Sequence, residues 1–514
     1  MIRTAPATLT DSFSWDSTSG DAGSALLHLV ICWSLDEPDR IGEAAPIRER
    51  CILGRGGPDA QDPAPRVIFY RQRPEGSEPT PPLMGSRVSR VQLELTPDGR
   101  GRLAVRSVGR CSMLVGGNVV ERAELQPGDT LVLRNGLVLL VVMRSPLRDA
   151  LHRSPSPTTF QFGGPDPNGI IGESPAAHSL RSQLGLAAQL GQHALVLGES
   201  GTGKELAARA LHALSPRSGG AFVARNAATL PEGLVDAELF GTAKGYPNAG
   251  TPERPGLIAE ADGGTLFLDE VGELPTHLSS HLLRVLDRDG EYQRLGETRI
   301  RRSALRVVAA TNRPLEHLKH DFAARFAVRV RVPGLQERRE DIPLLLRHLL
   351  VRAAQTTRNI ERIFERRSGA LGEPRIDSLL VEALVRHRYT HHLRELERLM
   401  WIALSTSQGS FLALTPEISA ELRLAAAPES AAARRGLKAA PSRASSPSGT
   451  KATATPGDTA AGSIGRSELE AALAEANGNV TEAAHRLGLK NRFALYRLIR
   501  QHGLAPPVKD GEEA

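Results

Sequence analysis

Cysteine is scarce in this 514-residue chain. There are three, Cys32, Cys51 and Cys111, all in the first quarter and none in a CxxC pair. That argues against a disulfide framework or a structural zinc site and fits a reducing cytoplasm. Long apolar runs are lacking too. The longest, Leu137–Met143, has seven residues, where a membrane-spanning helix needs roughly 20, so no membrane association is expected. The opening residues MIRTAPATLTDSFSWD show no charged start followed by an apolar stretch, and no secretory signal is expected. Aromatic residues make up only 4%. Neither sign of charge dominates: 64 Lys and Arg against 58 Asp and Glu leave a net +6. That excess is too mild to indicate nucleic-acid binding, so the placement of the charge has to decide.

The hydrophobic fraction of 40% and charged fraction of 24% are those of globular protein. At roughly 150 residues per domain the length suggests three or four domains. The 49 glycines and 35 prolines leave room for linkers. Residues 1–24 are polar and read as flexible. Residues 25–145 carry short apolar runs broken by Gly, Pro and Asp (LLHLVICW, CILGRG, VQLELT, TLVLRNG, LVLLVVM) and read as an all-β sandwich or barrel. Residues 146–168 read as a Pro/Ser/Gly linker. Residues 169–334 alternate strands and helices, an α/β pattern with a parallel sheet. Residues 335–423 read as all-helical. Residues 424–463, nearly all Ala, Pro, Ser, Gly and Thr, read as a flexible tether. Residues 464–505 form a last all-α module.

The strongest chemical signal is ALVLGESGTGKELAARALHAL (194–214). An apolar strand runs into Gly198, Glu199, Ser200, Gly201, Thr202, Gly203 and Lys204, and a helix follows. Glycines let backbone N–H groups turn toward phosphates, the helix N-terminus adds partial positive charge, and Lys204 reaches the β- and γ-phosphates of ATP. Glu205 stands where a general P-loop has Ser or Thr. Further on, Gly263–Glu270 (GGTLFLDE) is an apolar strand ending in two carboxylates. Asp269 is placed to hold hydrated Mg2+ and Glu270 to polarise the attacking water.

The stretch 169–415 resembles the AAA+ domain of the bacterial sigma-54-dependent activators, the enhancer-binding proteins. GIIGESPAAHSL (169–180), GESGTGKELAARALH (198–212), ELFG-x-x-KG (238–245), ADGGTLFLDEVGELP (261–275), LLRVLDRDGEYQRLG (282–296), RVVAATNR (306–313), ERREDIPLLLRHLL (337–350) and LRELERLM (393–400) match its blocks in order. The resemblance implies an ATPase acting as a homo-oligomer, from dimer to ring. A Glu after the P-loop Lys is usual in that family. It further implies that Asn226 pairs with Glu270 and switches it. Thr311 and Asn312 match sensor I, and Arg394 matches the sensor II arginine. Arg325 keeps one arginine finger, and Lys319 replaces the other. Lysine is a point charge without arginine's fork.

One block departs. The family contacts the sigma-54 RNA polymerase holoenzyme through a loop reading GAFTGA, and here the aligned stretch is Gly245-Tyr246-Pro247-Asn248-Ala249-Gly250. Pro247 stands for the Phe and Asn248 for the Thr. Two outcomes stay open: an activator of sigma-54 polymerase, or an ATP-binding, DNA-bound regulator that does not activate it.

Residues 467–504 read as three helices with tight Gly turns, the form of a helix-turn-helix. From Arg486 to Arg500 there are five basic residues and no acidic one. The stretch resembles the Fis-type DNA-binding end of the same activators, which implies that Asn491, Arg492, Phe493 and Arg497 face promoter or enhancer DNA. Residues 25–145 resemble a forkhead-associated (FHA) domain through ILGRG (52–56), VSRVQLEL (88–95), VGGNVV (115–120) and LQPGDTLVLRNG (125–136). That implies a phosphothreonine protein as partner, bound by Arg55, Ser89 and Arg90. Gln92 replaces the family's His, and its Ser-x-Asn-Gly-Thr turn reads VGRCSM (108–113). A sandwich used only for packing or dimerisation, and a pure phosphopeptide scaffold, are the competing readings.

Overall fold

The structure is a computed structural model. It describes residues 25–425 except 57–63, 75, 135, 145–159, 230, 232, 275, 288, 368 and 369, and beyond 425 only Leu487. Asn491, Arg492, Phe493 and Arg497 therefore lie outside the described residues, as does the tether from 426 onward. The chain divides into two units, residues 1–434 and 435–514, and every element named here belongs to the first.

The N-terminal strands are β1 Leu26–Ser34, β2 Ala44–Pro46, β3 Cys51–Leu53, β4 Tyr70–Arg73, β5 Gly76–Pro79 and β6 Leu93–Pro97. Then come β7 Leu103–Ser107, β8 Met113–Val115, β9 Asn118–Val119, β10 Arg122–Leu125, β11 Thr130–Leu133 and β12 Leu137–Arg144. They form two sheets, β5-β4-β2-β1-β12-β11-β8-β9 and β10-β7-β6-β3. At the centre, β1 and β12 run antiparallel from Leu26↔Arg144 to Ser34↔Leu137, with a bulge between Ile31 and Trp33. Leu29, Ile31, Leu137, Leu139 and Val141 point into the sandwich core with Leu53, Leu93 and Leu103.

The alternate residues of the same strands have a second destination. Cys32, Trp33, Val132, Val138 and Leu140 share a core with Leu345, Leu380 and Leu384 of the C-terminal helices. The longest apolar run is thus a strand covered on both faces, which is why its sequence does not alternate.

The α/β part has α1 Pro175–Gln189, β13 Ala194–Leu197, α2 Lys204–Ala213, β14 Phe222–Asn226, α3 Val235–Phe240, α4 Leu257–Glu260, β15 Thr265–Asp269 and α5 Thr276–Leu286. A ribbon, β16 Glu291–Tyr292 with β17 Arg301–Arg302, precedes β18 Arg306–Thr311, α6 His320–Ala324 and β19 Val328–Arg331. Its five strands are parallel in the order β14-β15-β18-β13-β19. Leu180, Leu184 and Leu211 of α1 and α2 cover one face against Phe267 and Val308. Leu239, Leu282 and Phe322 cover the other against Leu266 and Leu268.

The segment expected to be all-helical from residue 335 onward, termed the lid, contains α7 Ile342–Thr356, α8 Ser378–Arg386, α9 His392–Thr406 and α10 Pro416–Ala425. The expectation of an all-helical lid is corrected. Strands β20 Phe364–Arg367 and β21 Ala370–Pro374 pair antiparallel inside it. The sequence between them, Ser368-Gly369, is a turn signal. The linker expected over 146–168 is also corrected, since it is folded from Phe160 onward. Arg73 lies 4.5 Å from the Phe160 ring and donates to its carbonyl at 2.9 Å, and Gly163 N donates to Glu173 at 2.7 Å. Arginine stacking on phenylalanine holds a segment whose composition alone suggests none. No described helix is long and apolar enough to cross a membrane.

Three carboxylates peg these parts together. Arg144 Nη2 meets Glu340 Oε2 at 2.6 Å, with 5% and 8% of the two side chains exposed. Burial pushes the Glu340 carboxyl up, against the pull of Arg144. Glu382 of α8 accepts from Thr130 Oγ1 (3.0 Å) and Gly116 N (3.2 Å), and burial raises it too. Asp341 accepts from Glu173 N, Ser174 N and Ser174 Oγ at 2.6–2.9 Å. Gly172 (φ +137) passes so close that a Cβ there would lie 2.4 Å from Asp341 Oδ2.

Arg144→Ala leaves the Glu340 carboxylate buried without its cation. Denaturant unfolding of the full chain is expected to show a loss of about 3–5 kcal/mol. The double change Arg144→Met with Glu340→Leu is expected to recover most of it, because the charge and its partner leave together.

Candidate functional site

The site forms where the parallel strands end. β13 lies between β18 and β19 in the parallel sheet, so its loop into α2 emerges at the same edge as the ends of β18 and, one strand further on, β15. Gly201 and Gly203 take φ of +82° and +99°, open to glycine at little cost. The first turn of α2 leaves the amides of Lys204, Glu205 and Leu206 ahead of the first bond along the helix, Ala207 N to Gly203 O at 3.1 Å. These donors and the helix dipole make an anion cradle. Lys204 is buried, with Nζ donating to Gly198 O (3.0 Å) and Glu199 O (3.1 Å). Thr202 Oγ1 donates to Glu199 O at 2.9 Å.

Asp269 ends β15, and Asn226 ends the neighbouring β14 in register with it. Burial raises the Asp269 carboxyl, with Lys204 pulling it down. Burial lowers the Lys204 ammonium, with Asp269 and Glu270 acting against it. Glu270 sits at φ +54°, an uncommon conformation for a residue with a side chain. Asn226 Nδ2 donates to Glu270 Oε2 at 3.4 Å, and Glu270 N donates to Asp269 Oδ1 at 3.0 Å. An amine, two carboxylates and an amide therefore converge beside the cradle.

Thr311 is buried at the end of β18, and its carbonyl accepts from Gly198 N at 3.3 Å. Asn312 is exposed next to it. Arg394, from the lid, donates to Ser200 Oγ at 3.2 Å. Glu205 pairs with Arg209 along the outer face of α2 at 2.8 Å. Lys319 and Arg325 bracket α6, where Arg325 pairs with Asp287 at 2.7 Å and not with the P-loop of its own chain.

Residues 245–251 close into a compact turn. Gly245 N donates to Thr251 O (2.8 Å), Tyr246 N to Ala243 O (3.2 Å) and Thr251 N to Asn248 O (3.1 Å). Tyr246 packs over Gly296, where a Cβ would lie 2.6 Å from its ring, and stays 38% exposed. Pro247 follows through a cis peptide bond.

In the sandwich, Arg55 N donates to Ser89 O at 2.9 Å, and a Cβ on Gly54 would strike Arg90 O. Arg55, Ser89 and exposed Arg90 thus lie together. Gln92 is fully buried beneath them. It accepts from Ser89 N (3.3 Å) and Cys111 N (3.4 Å) and donates to Cys111 O (2.8 Å). It ties the 89–90 loop to the 108–113 turn.

Sequence reasoning missed the residues through which the lid reaches the P-loop. Leu393 N donates to Gly201 O at 3.0 Å, and a Cβ on Gly201 would lie 2.1 Å from His391 O. Arg338, buried in the connection to the lid, donates to Thr202 O at 3.3 Å. Glu395 gathers the turn before α9: it accepts from Thr390 N (2.8 Å), His391 N (3.0 Å) and Thr390 Oγ1 (3.2 Å), and meets His387 Nε2 at 2.8 Å. No spacing rule marks these residues. Leu393 and Glu395 have only their place beside Arg394 as a sequence signal, and Arg338 only its place in the ERRED block.

Comparison with known proteins places this geometry. Residues 170–335 match the family described as the sigma-54 interaction domain, and residues 464–501 match the Fis family of bacterial regulatory proteins. The chain is 33% identical over 354 residues to the transcriptional regulatory protein ZraR of Escherichia coli (strain K12), covering 68% of this chain and 70% of that one. It is 43% identical over 206 residues to the DNA-binding transcriptional regulator NtrC of the same strain, covering 39% and 44%. Among solved structures it is similar to NtrX from Brucella abortus in complex with ATP, at 28% identity, 65% and 70% coverage and a TM-score of 0.42.

Glu395 gives the lid turn a pH dependence. Burial pushes its carboxyl up, but the His391 and Thr390 amides and His387 outweigh that and hold it at about 2, below the ordinary 4.5. A carboxyl depressed on folding stabilises above its unfolded value, and that contribution fades as pH falls through the folded one. The melting-temperature gap between the native chain and Glu395→Gln is expected to be widest above about pH 4.5 and to shrink toward pH 2.

Proposed function

Since the chain belongs to the sigma-54-dependent transcriptional regulators, the bacterial enhancer-binding proteins, we propose that it is a cytoplasmic AAA+ ATPase. It assembles as a homo-oligomer on promoter or enhancer DNA and uses ATP hydrolysis to remodel the sigma-54 RNA polymerase holoenzyme. The observation that carries this reading is the convergence of Lys204, Asp269, Glu270 and Asn226 at the strand ends.

The donor set fits a magnesium-bound triphosphate. Backbone amides and Lys204 suit the phosphates, and the Asp269 carboxyl, at the strand end beside Lys204, suits a hydrated divalent ion. Bound Mg2+ would neutralise developing phosphate charge. Glu270 orients and polarises the attacking water. Asn226 holds Glu270 off that water until the pair separates. Thr311 and Asn312 sense the γ-phosphate end, and Arg394 brings the lid to it. Arg325 acts on a neighbouring subunit's nucleotide by exchanging its half-exposed bond to Asp287 for the phosphate, with Lys319 as the weaker second cation.

In this reading residues 25–145 are the input domain, 169–334 and 335–423 the motor and lid, and 464–505 the DNA anchor on its tether. Asn491, Arg492, Phe493 and Arg497 face DNA. Arg55, Ser89 and Arg90 take a phosphothreonine. The reading is supported by their adjacency over the Gln92 scaffold, where the glutamine amide supplies both an acceptor and a donor.

A specific observation favours a second reading. The turn at 245–251 is closed by its own backbone bonds, and Tyr246 is packed on Gly296. A regulator with such a loop would hydrolyse ATP and bind DNA without opening sigma-54 promoters.

Lys204→Ala is expected to abolish ATP binding, and Glu270→Gln to keep binding while slowing hydrolysis at least about a hundredfold. Equal background ATPase in the native chain and Lys204→Ala would overturn the enzyme reading. Open-complex formation by sigma-54 polymerase on a supercoiled target promoter separates the two readings: none, with ATPase and DNA binding intact, favours the second. For the input domain, calorimetry should show binding of a phosphothreonine peptide that Arg55→Ala loses; no binding by the native chain would leave the sandwich a packing domain.

A further inference from the structure

His392 occupies an unusual position. With Glu270 it is one of two non-glycine residues with positive φ among the described residues, at +46°. A bulky side chain is held there only where surrounding contacts fix it. Its side chain is 2% exposed. Leu335 N, in the segment leaving β19 for the lid, donates to Nδ1 at 3.2 Å. With Nδ1 accepting, the ring proton sits on Nε2, which lies 3.1 Å from Glu199 Oε2. Gly334 leaves room for the ring, since a Cβ there would come within 2.7 Å of Cε1. One imidazole therefore spans the lid helix, the connecting segment and the second residue of the P-loop. Its neighbour Leu393 bonds Gly201, and Glu395 fixes the turn that delivers it.

We infer that His392 is a positioning residue for nucleotide binding: its bond to Glu199 holds the lid over the P-loop before nucleotide arrives. The inference rests on the nucleotide reading of the P-loop. A protein whose competent state is only partly populated binds with an affinity reduced by that fraction. Cutting the tie lets the lid swing and weakens binding. At saturating nucleotide the phosphates and Arg394 re-close the lid, so turnover is little changed. Glu199 is 71% exposed, so a purely structural account gives it no part.

The test uses the full chain, a fluorescent ADP analogue and steady-state ATPase. His392→Asn keeps an acceptor near the Nδ1 position for Leu335 N and loses the reach to Glu199. Glu199→Ala removes the other end on the exposed side. Each single variant is expected to raise the dissociation constant and KM about five- to tenfold, with kcat within about twofold. The double variant is expected to match either single one, since both cut one bond. Unchanged affinity in Glu199→Ala, fully additive losses, or a lower melting temperature as the only effect would each overturn the proposal. A native chain that binds ADP without hydrolysing ATP would overturn the ATPase reading alone and leave the affinity comparison intact. A native chain that binds no nucleotide would overturn both.

Discussion

The constraint on which the molecule depends is the burial of β1 and β12 on both faces. In an ordinary sandwich the central strands alternate between core and water. Here Leu137, Leu139 and Val141 fill the sandwich while Val138 and Leu140 fill the lid, and Trp33 enters the lid's core past a bulge. The sandwich core and the lid core are thus built on opposite sides of the same strands. Leaving either side uncovered would expose a large apolar surface to water, and that is what holds the N-terminal domain against the lid.

The polar contacts across this junction act differently from the apolar ones. Arg144–Glu340 and the Glu382 bonds are buried, and such pairs contribute little net stability against apolar replacements. Each is costly to leave half-made, so they specify one docking geometry among the many that greasy faces allow. Asp341 does the same for the start of α1, gathering Glu173 and Ser174. Adjacent residues 340 and 341 therefore address the sandwich and the α/β part respectively.

What could be read from sequence was what is local. The P-loop, the Asp269–Glu270 pair and the alternation of strands and helices are short contiguous patterns whose chemistry and geometry coincide. The adjacency of Arg55 and Ser89 was legible for a similar reason, because a strand end and a loop each carry a recognisable string. The lid hairpin was missed because its nearly all-polar first strand, FERR, carries no period of two. The folded segment from Phe160 was missed because its anchors, Arg73 and Arg181, lie far away in sequence. His392 and Arg338 were illegible for the same reason: each matters through a partner more than 100 residues away. The apolar run 137–143 reads from sequence as a strand too short to cross a membrane, and its second buried face is set only by the fold.

The shared strands also bear on interchangeability of parts. A domain that merely hangs from a linker can be exchanged for another without touching its neighbour. This sandwich cannot, because Cys32, Trp33, Val138 and Leu140 are as much the lid's interior as its own. Any replacement N-terminal domain would have to carry a matching apolar face, an acceptor-seeking hydroxyl for Glu382 and a cation for Glu340. Change in one domain is therefore answerable to the other, because the two share one interior.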